Sequence, residues 1–126
     1  METNSIALDD TEGDVVVVLV EGEHDIYTVP TLRDRLEEAR DRGGGVVVDL
    51  NRATFLDSSV LGALLDARRH AQEAGTGFAV SVGAEVEPGV QRILDITGLV
   101  PVLPVVNGRE AALAAVRDDQ DLSSPG

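Results

Sequence analysis

The chain has 126 residues, 43% of them hydrophobic, which suits one domain with a buried core and is too short for two. It has no cysteine and only two histidines, so a disulfide framework is excluded and a structural zinc site is disfavoured. A formal net charge of -13 and an aromatic content of 2% disfavour nucleic acid and anionic membranes as partners, because such a surface repels phosphates and stacks poorly on bases.

The N-terminal segment, residues 1–13, is mostly polar, and "SIAL" within it predicts a short strand. It lacks the basic and apolar regions of a signal peptide. No apolar run in the chain approaches the roughly 18 residues of a membrane span. We therefore expect a cytoplasmic protein whose partners are proteins, with no metal and no cofactor.

Strands and helices alternate through residues 14–117. Six consecutive aliphatic residues at 15–20 predict a strand covered on both faces. An amphipathic helix follows, because Thr28 is a candidate N-cap, Pro30 falls in the first turn and three glycines end the segment. The same patterns predict strands at 46–50, 77–82 and 102–106, and helices at 59–74, at 87–99 and in "GREAALAAVRDD".

This order predicts an α/β fold, because successive parallel strands need crossover helices between them. We expect a mixed, mostly parallel sheet of four to five strands with about four helices packed against it, followed by a flexible tail at 118–126. Functional sites in such sheets lie in the loops that leave the carboxyl ends of the strands. Two loops of this kind are "EGEHD", after a strand that ends near Val20, and "NRATFLDSS", after a strand that ends at Leu50.

Ser58, in the second loop, permits three interpretations. Asp57 or Ser58 could cap the following helix, an interaction worth about 1 kcal/mol. Ser58 could be a nucleophile with His24 and Asp25 as base and orienting acid, although no G-x-S-x-G motif accompanies it and His24 is better explained as a loop residue. Third, Ser58 could be the residue that a partner protein modifies.

Gly62, Asp66 and Arg69 follow Ser58 at helical spacing and share one face of the predicted helix. Glycine inside an exposed helix costs roughly 1 kcal/mol relative to alanine, so Gly62 requires a reason. It either packs against a neighbouring loop or allows the backbone of a partner to approach. A stripe of small and polar residues that begins with a hydroxyl suits docking by a protein that must reach Ser58.

The stretches "GEHD", "VVVDLNRATFLDSSVLGALL" and "VQRILDITGL" resemble, in order and spacing, the signature stretches of STAS domain proteins of the anti-sigma factor antagonist type. The resemblance runs over residues 14–117 and implies a single STAS-like domain without catalytic activity. It also implies a switch, in which the antagonist binds an anti-sigma factor, frees the sigma factor and is disabled when the anti-sigma factor phosphorylates one serine. A separate serine phosphatase would restore that serine.

The resemblance assigns the phosphorylated serine to Ser58 and the family's acid at the partner surface to Asp25. Together with the helix stripe it gives an expected partner-binding set of Asp25, Asp57, Ser59, Val60, Gly62, Asp66 and Arg69. The usual pattern is D-S-[S/T]-G-L-G, and this chain has Val60 where the first glycine stands. A branched side chain so close to the acceptor hydroxyl favours an alternative function, a non-switching STAS adaptor or scaffold subunit that binds its partner constitutively.

Overall fold

The computed structural model describes residues 4–42, 44–83, 87–88, 90–91 and 104–123. Within them the strands are β1 (Ser5–Asp9), β2 (Val15–His24), β3 (Gly45–Asp49), β4 (Ala53–Leu56), β5 (Phe78–Val82) and β6 (Val105–Asn107). The helices are α1 (Val29–Asp41), α2 (Ser58–Ala74) and α3 (Arg109–Ser123). The helix predicted at 87–99 lies largely outside the described residues.

The strands form one mixed sheet in the order β1-β2-β3-β5-β6, with β4 pairing to the end of β2. β1 runs antiparallel to β2, and the other pairs are parallel. The α/β class and the mostly parallel sheet are therefore confirmed, as is the short first strand in "SIAL". Because the helices return the chain between parallel strands, β2, β4 and β6 all end at the same edge of the sheet, where α1, α2 and α3 begin.

The two faces of the sheet are covered by different helices. Val16, Val18 and Val20 of β2 point into a core shared with α1 and α2. Val15 and Val17 point the other way, into a smaller core shared with α3. This double coverage explains why six aliphatic residues stand in a row, since neighbouring side chains of a strand alternate between the faces.

Local signals in the sequence fix the helix ends. α2 ends where Gly75 takes a left-handed conformation with φ of 73°, and its N–H bonds back to Gln72 O. α1 buries Leu32, Leu36 and Ala39 along one face, which confirms that it is an amphipathic helix. Thr28 is the N-cap residue of α1, but its side chain does not cap the helix.

Three predicted boundaries are wrong. β2 continues through "EGEH" to His24, and "ATFL" forms β4 where the sequence predicted a loop. These stretches become strands because they pair with each other, with a register shift at Gly22. α3 continues to Ser123, past the boundary predicted at residue 117.

Candidate functional site

The pairing of β2 with β4 brings the two predicted loops together. Glu23 lies opposite Phe55 and His24 opposite Leu56. Beyond the last pair, Asp57 N–H donates to His24 O at an N···O distance of 3.2 Å. Asp25 and Asp57 therefore follow neighbouring strands at the same edge, as the sequence predicts for a parallel sheet.

Asp57 is the residue that caps α2. Its backbone is extended, with φ of -99° and ψ of 176°, and its carboxylate accepts from Ser59 N–H at 2.9 Å. The Ser59 hydroxyl donates to the same carboxylate oxygen. This cap satisfies one of the otherwise unpaired N–H groups of the first turn and occupies the second serine.

Ser58 differs from its neighbour. It is the first residue of α2, it is exposed, and within the described part of the chain its hydroxyl forms no hydrogen bond. The N-terminus of a helix carries a partial positive charge, which favours a negative group at this position. Of the two serines, only Ser58 presents a hydroxyl that is free to react with a group from outside.

The structure removes the basis for a catalytic serine. His24 is buried and is the last residue of β2, which corrects its prediction as a loop residue. Its Nε2 lies 2.7 Å from Glu21 O and its Nδ1 lies 3.1 Å from Thr28 Oγ1. Because both ring nitrogens are engaged away from Ser58, His24 cannot serve as its general base.

Asp25 is held by its own turn. Its carboxylate accepts from Tyr27 N–H at 2.9 Å, and its carbonyl oxygen accepts from Thr28 and Val29 N–H. These bonds order the loop between β2 and α1 without using the second carboxylate oxygen of Asp25. The acid is half-buried and keeps an accepting oxygen.

The predicted stripe of small and polar residues is present on α2, and Arg33 of α1 pairs with one of its members. Arg33 Nη1 donates to Asp66 Oδ2 at 2.7 Å, and Arg69 Nη2 lies 3.4 Å from Asp66 Oδ1. The hydrogen bond from Arg33 holds the pKa of Asp66 below its usual value. Arg33 therefore crosses from α1 to the surface of α2.

Gly62 lies on this surface with room around it. A Cβ built on Gly62 would meet only Arg33 Nη2, at 3.8 Å, which is an ordinary contact distance. Within the described part of the chain, no neighbouring loop lies close enough to require glycine here. The explanation that Gly62 packs against a loop is therefore wrong. Close approach of a partner remains a prediction.

Val60 is not part of the exposed surface, which corrects its prediction as a partner-binding residue. It is 0% exposed and belongs to the core beneath α1 and α2. No residue other than glycine has positive φ among the described residues, so valine is unstrained in this helical turn. Val60 lies four residues before Leu64, so the two side chains share one face of α2. Ser58 is only two residues from Val60 and therefore lies on the opposite face.

Sequence reasoning missed three exposed apolar side chains, two in the loop after β2 and one on β4. Ile26 is 63% exposed and Tyr27 is 87% exposed in the loop after β2, and Phe55 is 43% exposed on β4. The chain has only three aromatic residues, and two of them belong to this cluster. Their position in the two loops was the signal that could have revealed it. We call Ile26, Tyr27 and Phe55 the apolar cluster.

The described residues contain neither a cluster of metal-ligating side chains nor a helix suited to crossing a membrane. No group of three or more histidine or acidic side chains there could hold a metal ion. None of the helices found there is both long enough and apolar enough to cross a membrane.

Ser58 thus lies exposed at the start of α2, at the edge of a single α/β sheet. The family model for the STAS domain matches residues 7–112, and the chain belongs to the STAS domain family. It is 33% identical over 101 residues to the anti-sigma F factor antagonist of Paenibacillus polymyxa, covering 79% of this chain and 84% of that relative. Antagonists of this family are binding proteins and not enzymes.

Solved structures agree with this assignment. The crystal structure of an anti-sigma factor antagonist from Mycobacterium paratuberculosis matches with a TM-score of 0.78 and 30% identity, over 92% of this chain and 96% of that one. The antagonist SpoIIAA in its unphosphorylated form matches with a TM-score of 0.73 and 23% identity, over 90% of this chain and 97% of that one. The phosphorylated form of SpoIIAA from Bacillus matches with a TM-score of 0.64. At 23% identity these two SpoIIAA structures support the fold alone.

Proposed function

We propose that this chain is an anti-sigma factor antagonist that binds an anti-sigma factor with serine kinase activity, and that phosphorylation of Ser58 by this partner ends the binding. The observation that carries the proposal is the contrast between the two serines. Ser58 is exposed and unbonded, whereas the Ser59 hydroxyl is held by Asp57. A kinase can therefore reach the first hydroxyl without breaking the helix cap.

The apolar cluster supports a docking role for the same surface. Exposed aromatic and aliphatic side chains next to a polar rim are typical of the centre of a protein interface. The cluster and Ser58 lie on consecutive segments of the same sheet edge. A partner that covers Tyr27 and Phe55 would also cover Ser58, so binding and phosphorylation would use one surface.

Phosphorylation can end such binding by local repulsion. A phosphoserine adds about -1.5 to -2 charges, which the N-terminus of α2 tolerates in the free protein. A partner acid about 5 Å away would repel each added charge by roughly 3 kcal/mol at an effective dielectric constant of 20, before screening by salt. Shifting a complex from 99:1 to 1:99 takes about 5.5 kcal/mol, so two such charges suffice. The domain does not need to change its fold.

The other parts of the system belong to the partners. The anti-sigma factor would supply ATP, magnesium and the transfer machinery, and a serine phosphatase would return Ser58 to its free form. All of these reactions would take place in the cytoplasm. The burial of Val60 supports the switch, because the valine side chain does not lie on the surface that a kinase approaches.

The test is phosphorylation of the purified chain by its anti-sigma factor. Intact mass spectrometry after incubation with the partner and ATP should show one added phosphate, mapped to Ser58. Ser58→Ala should abolish the modification and keep binding, whereas the matched control Ser59→Ala should keep both. Tight binding without any phosphate on either serine would refute the switch and identify a constitutive adaptor. A phosphate on Ser59 would refute the choice of residue.

A further inference from the structure

The position of Arg33 gives the Ser58 surface a second feature. Arg33 belongs to α1, yet its Nη1 bonds Asp66 on α2, and its Nη2 would lie 3.8 Å from a Cβ on Gly62. The guanidinium group thus lies over the stretch of α2 between Gly62 and Asp66. Both side chains of this ion pair are well exposed, so the guanidinium can move without disturbing the core.

Ser58 lies on the same face of α2, four residues before Gly62. Four residues advance an α-helix by about 6 Å, so Ser58 and Gly62 are successive positions of one row of side chains. Gly62 places no side chain between the guanidinium and Ser58. A change of side-chain rotamer in Arg33 is enough to move its charge from the Asp66 end of this row toward the Ser58 end.

We propose that Arg33 is an internal phosphate-binding residue, whose guanidinium leaves Asp66 and binds the phosphoryl oxygens when Ser58 is phosphorylated. The inference rests on the proposed function for the presence of the phosphate. It adds a site within this chain that holds the phosphate after the modification. The phosphorylated protein is then stabilised in its free form.

The charges of the two acceptors favour the exchange. A phosphoryl group offers three acceptor oxygens and nearly two charges, and arginine binds such groups in a bidentate manner. Asp66 does not lose its only partner, because Arg69 Nη2 remains 3.4 Å from Oδ1. Asp57, the residue that caps α2 directly before Ser58, would repel the phosphate, which increases the benefit of a cation that can approach it.

The exchange also changes the contact between the helices. The Arg33–Asp66 pair joins α1 to α2 at the rim of a groove of about 340 Å³, whose floor includes Leu36, Ala63 and Phe78. Movement of Arg33 toward Ser58 releases this tie. Phosphorylation of Ser58 would therefore remove an ion-pair partner from Asp66, two helical turns from the modified residue.

The test uses the full chain with phosphoserine incorporated at residue 58 by genetic code expansion, so that no kinase is required. Titration by ³¹P NMR gives the second pKa of the phosphate, whose ordinary value is about 6. A neighbouring guanidinium favours the dianion, so Arg33→Met should raise this pKa by about 0.5 unit. Arg33→Lys should keep part of the effect because it keeps the charge.

Arg35→Met is the matched control, because Arg35 lies on the same helix with similar exposure and pairs with Glu38 on α1. It removes the same charge and should leave the phosphate pKa within about 0.1 unit of its starting value. Equal shifts in Arg33→Met and Arg35→Met would overturn the proposal, since they would reflect net charge alone. Carbon-13 titration of the Asp66 carboxyl gives a second measure: phosphoserine should raise its pKa by more in the natural sequence than in Arg33→Met.

Failure of this proposal and failure of the proposed function are distinguishable. If the anti-sigma factor does not phosphorylate Ser58, the function fails, while the titration of the incorporated phosphoserine still decides the role of Arg33. If phosphorylation occurs but Arg33→Met leaves the phosphate pKa unchanged, only the internal site is refuted.

Discussion

Two helices begin at the same edge of the sheet, and their first residues are used in opposite ways. Ser58, the first residue of α2, is exposed and its hydroxyl is unbonded within the described part of the chain. Arg109, the first residue of α3, forms ion pairs with Asp9 at 3.1 Å, Asp49 at 3.4 Å and Glu12 at 3.8 Å. One helix start is open to other molecules, and the other is closed by the chain itself.

The difference separates stability from binding. Arg109 connects α3 to β1 and β3, and Asp49 is only 7% exposed, so the charges at this end serve the fold. The start of α2 is held by an apolar anchor, Val60, and by the Asp57 cap, which leaves its surface groups uncommitted. Substitutions near Arg109 should therefore change unfolding, and substitutions on the surface around Ser58 should change binding.

The largest effect is expected at the anchor of α2. Val60→Gly should lower the free energy of unfolding by about 3 kcal/mol, because it empties a fully buried position and puts glycine in a helix. Gln72→Gly, at an exposed position of the same helix, should cost only about 1 kcal/mol. Urea denaturation measures both. Val60→Gly should not speed phosphorylation, since the valine side chain does not reach the surface. Faster phosphorylation with unchanged stability would contradict the role of Val60 as a buried anchor of α2.

The apolar cluster should contribute most of the binding energy between the surface around Ser58 and the anti-sigma factor. Tyr27→Ala should weaken the complex with the anti-sigma factor by about 10-fold to 30-fold, because exposed aromatic residues are frequent hot spots of interfaces. Its free energy of unfolding should change by less than about 0.5 kcal/mol. Tyr27→Phe keeps the ring and should keep most of the affinity. Unchanged binding of Tyr27→Ala in calorimetry would remove the cluster from the interface.

Substitutions at the start of α3 should show the reverse pattern, a loss of stability without a loss of binding. Arg109→Met should lower the free energy of unfolding by about 1 to 2 kcal/mol, because it leaves the buried carboxylate of Asp49 without its cation. Arg117→Met is the control, since Arg117 pairs with an exposed acid, Asp14, and should cost less than about 0.5 kcal/mol. Neither change should alter affinity for the anti-sigma factor. Weaker binding of Arg109→Met would contradict the conclusion that the start of α3 serves stability and the start of α2 serves binding.

Gly62 should show opposite effects on stability and binding. Gly62→Ala should raise the free energy of unfolding by about 0.5 to 1 kcal/mol, since alanine is the better helix former and its Cβ fits. If the partner approaches closely at this point, the same change should weaken the complex by about fivefold or more. Gly75→Ala is a control of opposite sign, because φ of 73° strains alanine. Thermal melts and calorimetry on both variants separate these outcomes.

The smallest expected effect is a pH dependence at the closed start. Hydrogen bonds from Thr11, followed by the interaction with Arg109, hold the pKa of Asp9 below its usual value. Since the folded pKa is below the unfolded value of about 3.9, Asp9 contributes stability above that pH and loses it as pH falls through the folded pKa. The stability difference between the natural sequence and Arg109→Met should therefore narrow from about pH 6 to about pH 3. A constant difference in urea denaturation would show that Asp9 is not coupled to Arg109.

Much of the fold could be predicted because its signals are local. The aliphatic run at 15–20, the apolar faces of α1 and α2, and the stop at Gly75 depend on residues within a turn or two of each other. Resemblance to the antagonist family added the prediction that Ser58 and Asp25 are site residues. It also misplaced Val60 at the surface, although the period that joins Val60 to Leu64 already indicated burial.

The rest could not be predicted because it depends on pairing between distant segments. β4 is a strand because it lies beside the end of β2, and that pairing buries His24 and leaves Phe55 on the outside. No local pattern distinguishes a strand of only four residues from a loop. The apolar cluster was missed for the same reason, since its members come from two separate segments, the loop after β2 and strand β4.

The sequence by itself determined the α/β class, the strand covered on both faces and the helix that starts after Asp57, because periodicity and capping act between near neighbours. The tertiary structure decided which of two adjacent serines is free, how the exposed residues of two loops form one surface, and that Arg33 reaches Asp66 across 33 residues of chain. These properties depend on how the elements pack, and contacts between distant residues leave no periodic trace in the sequence.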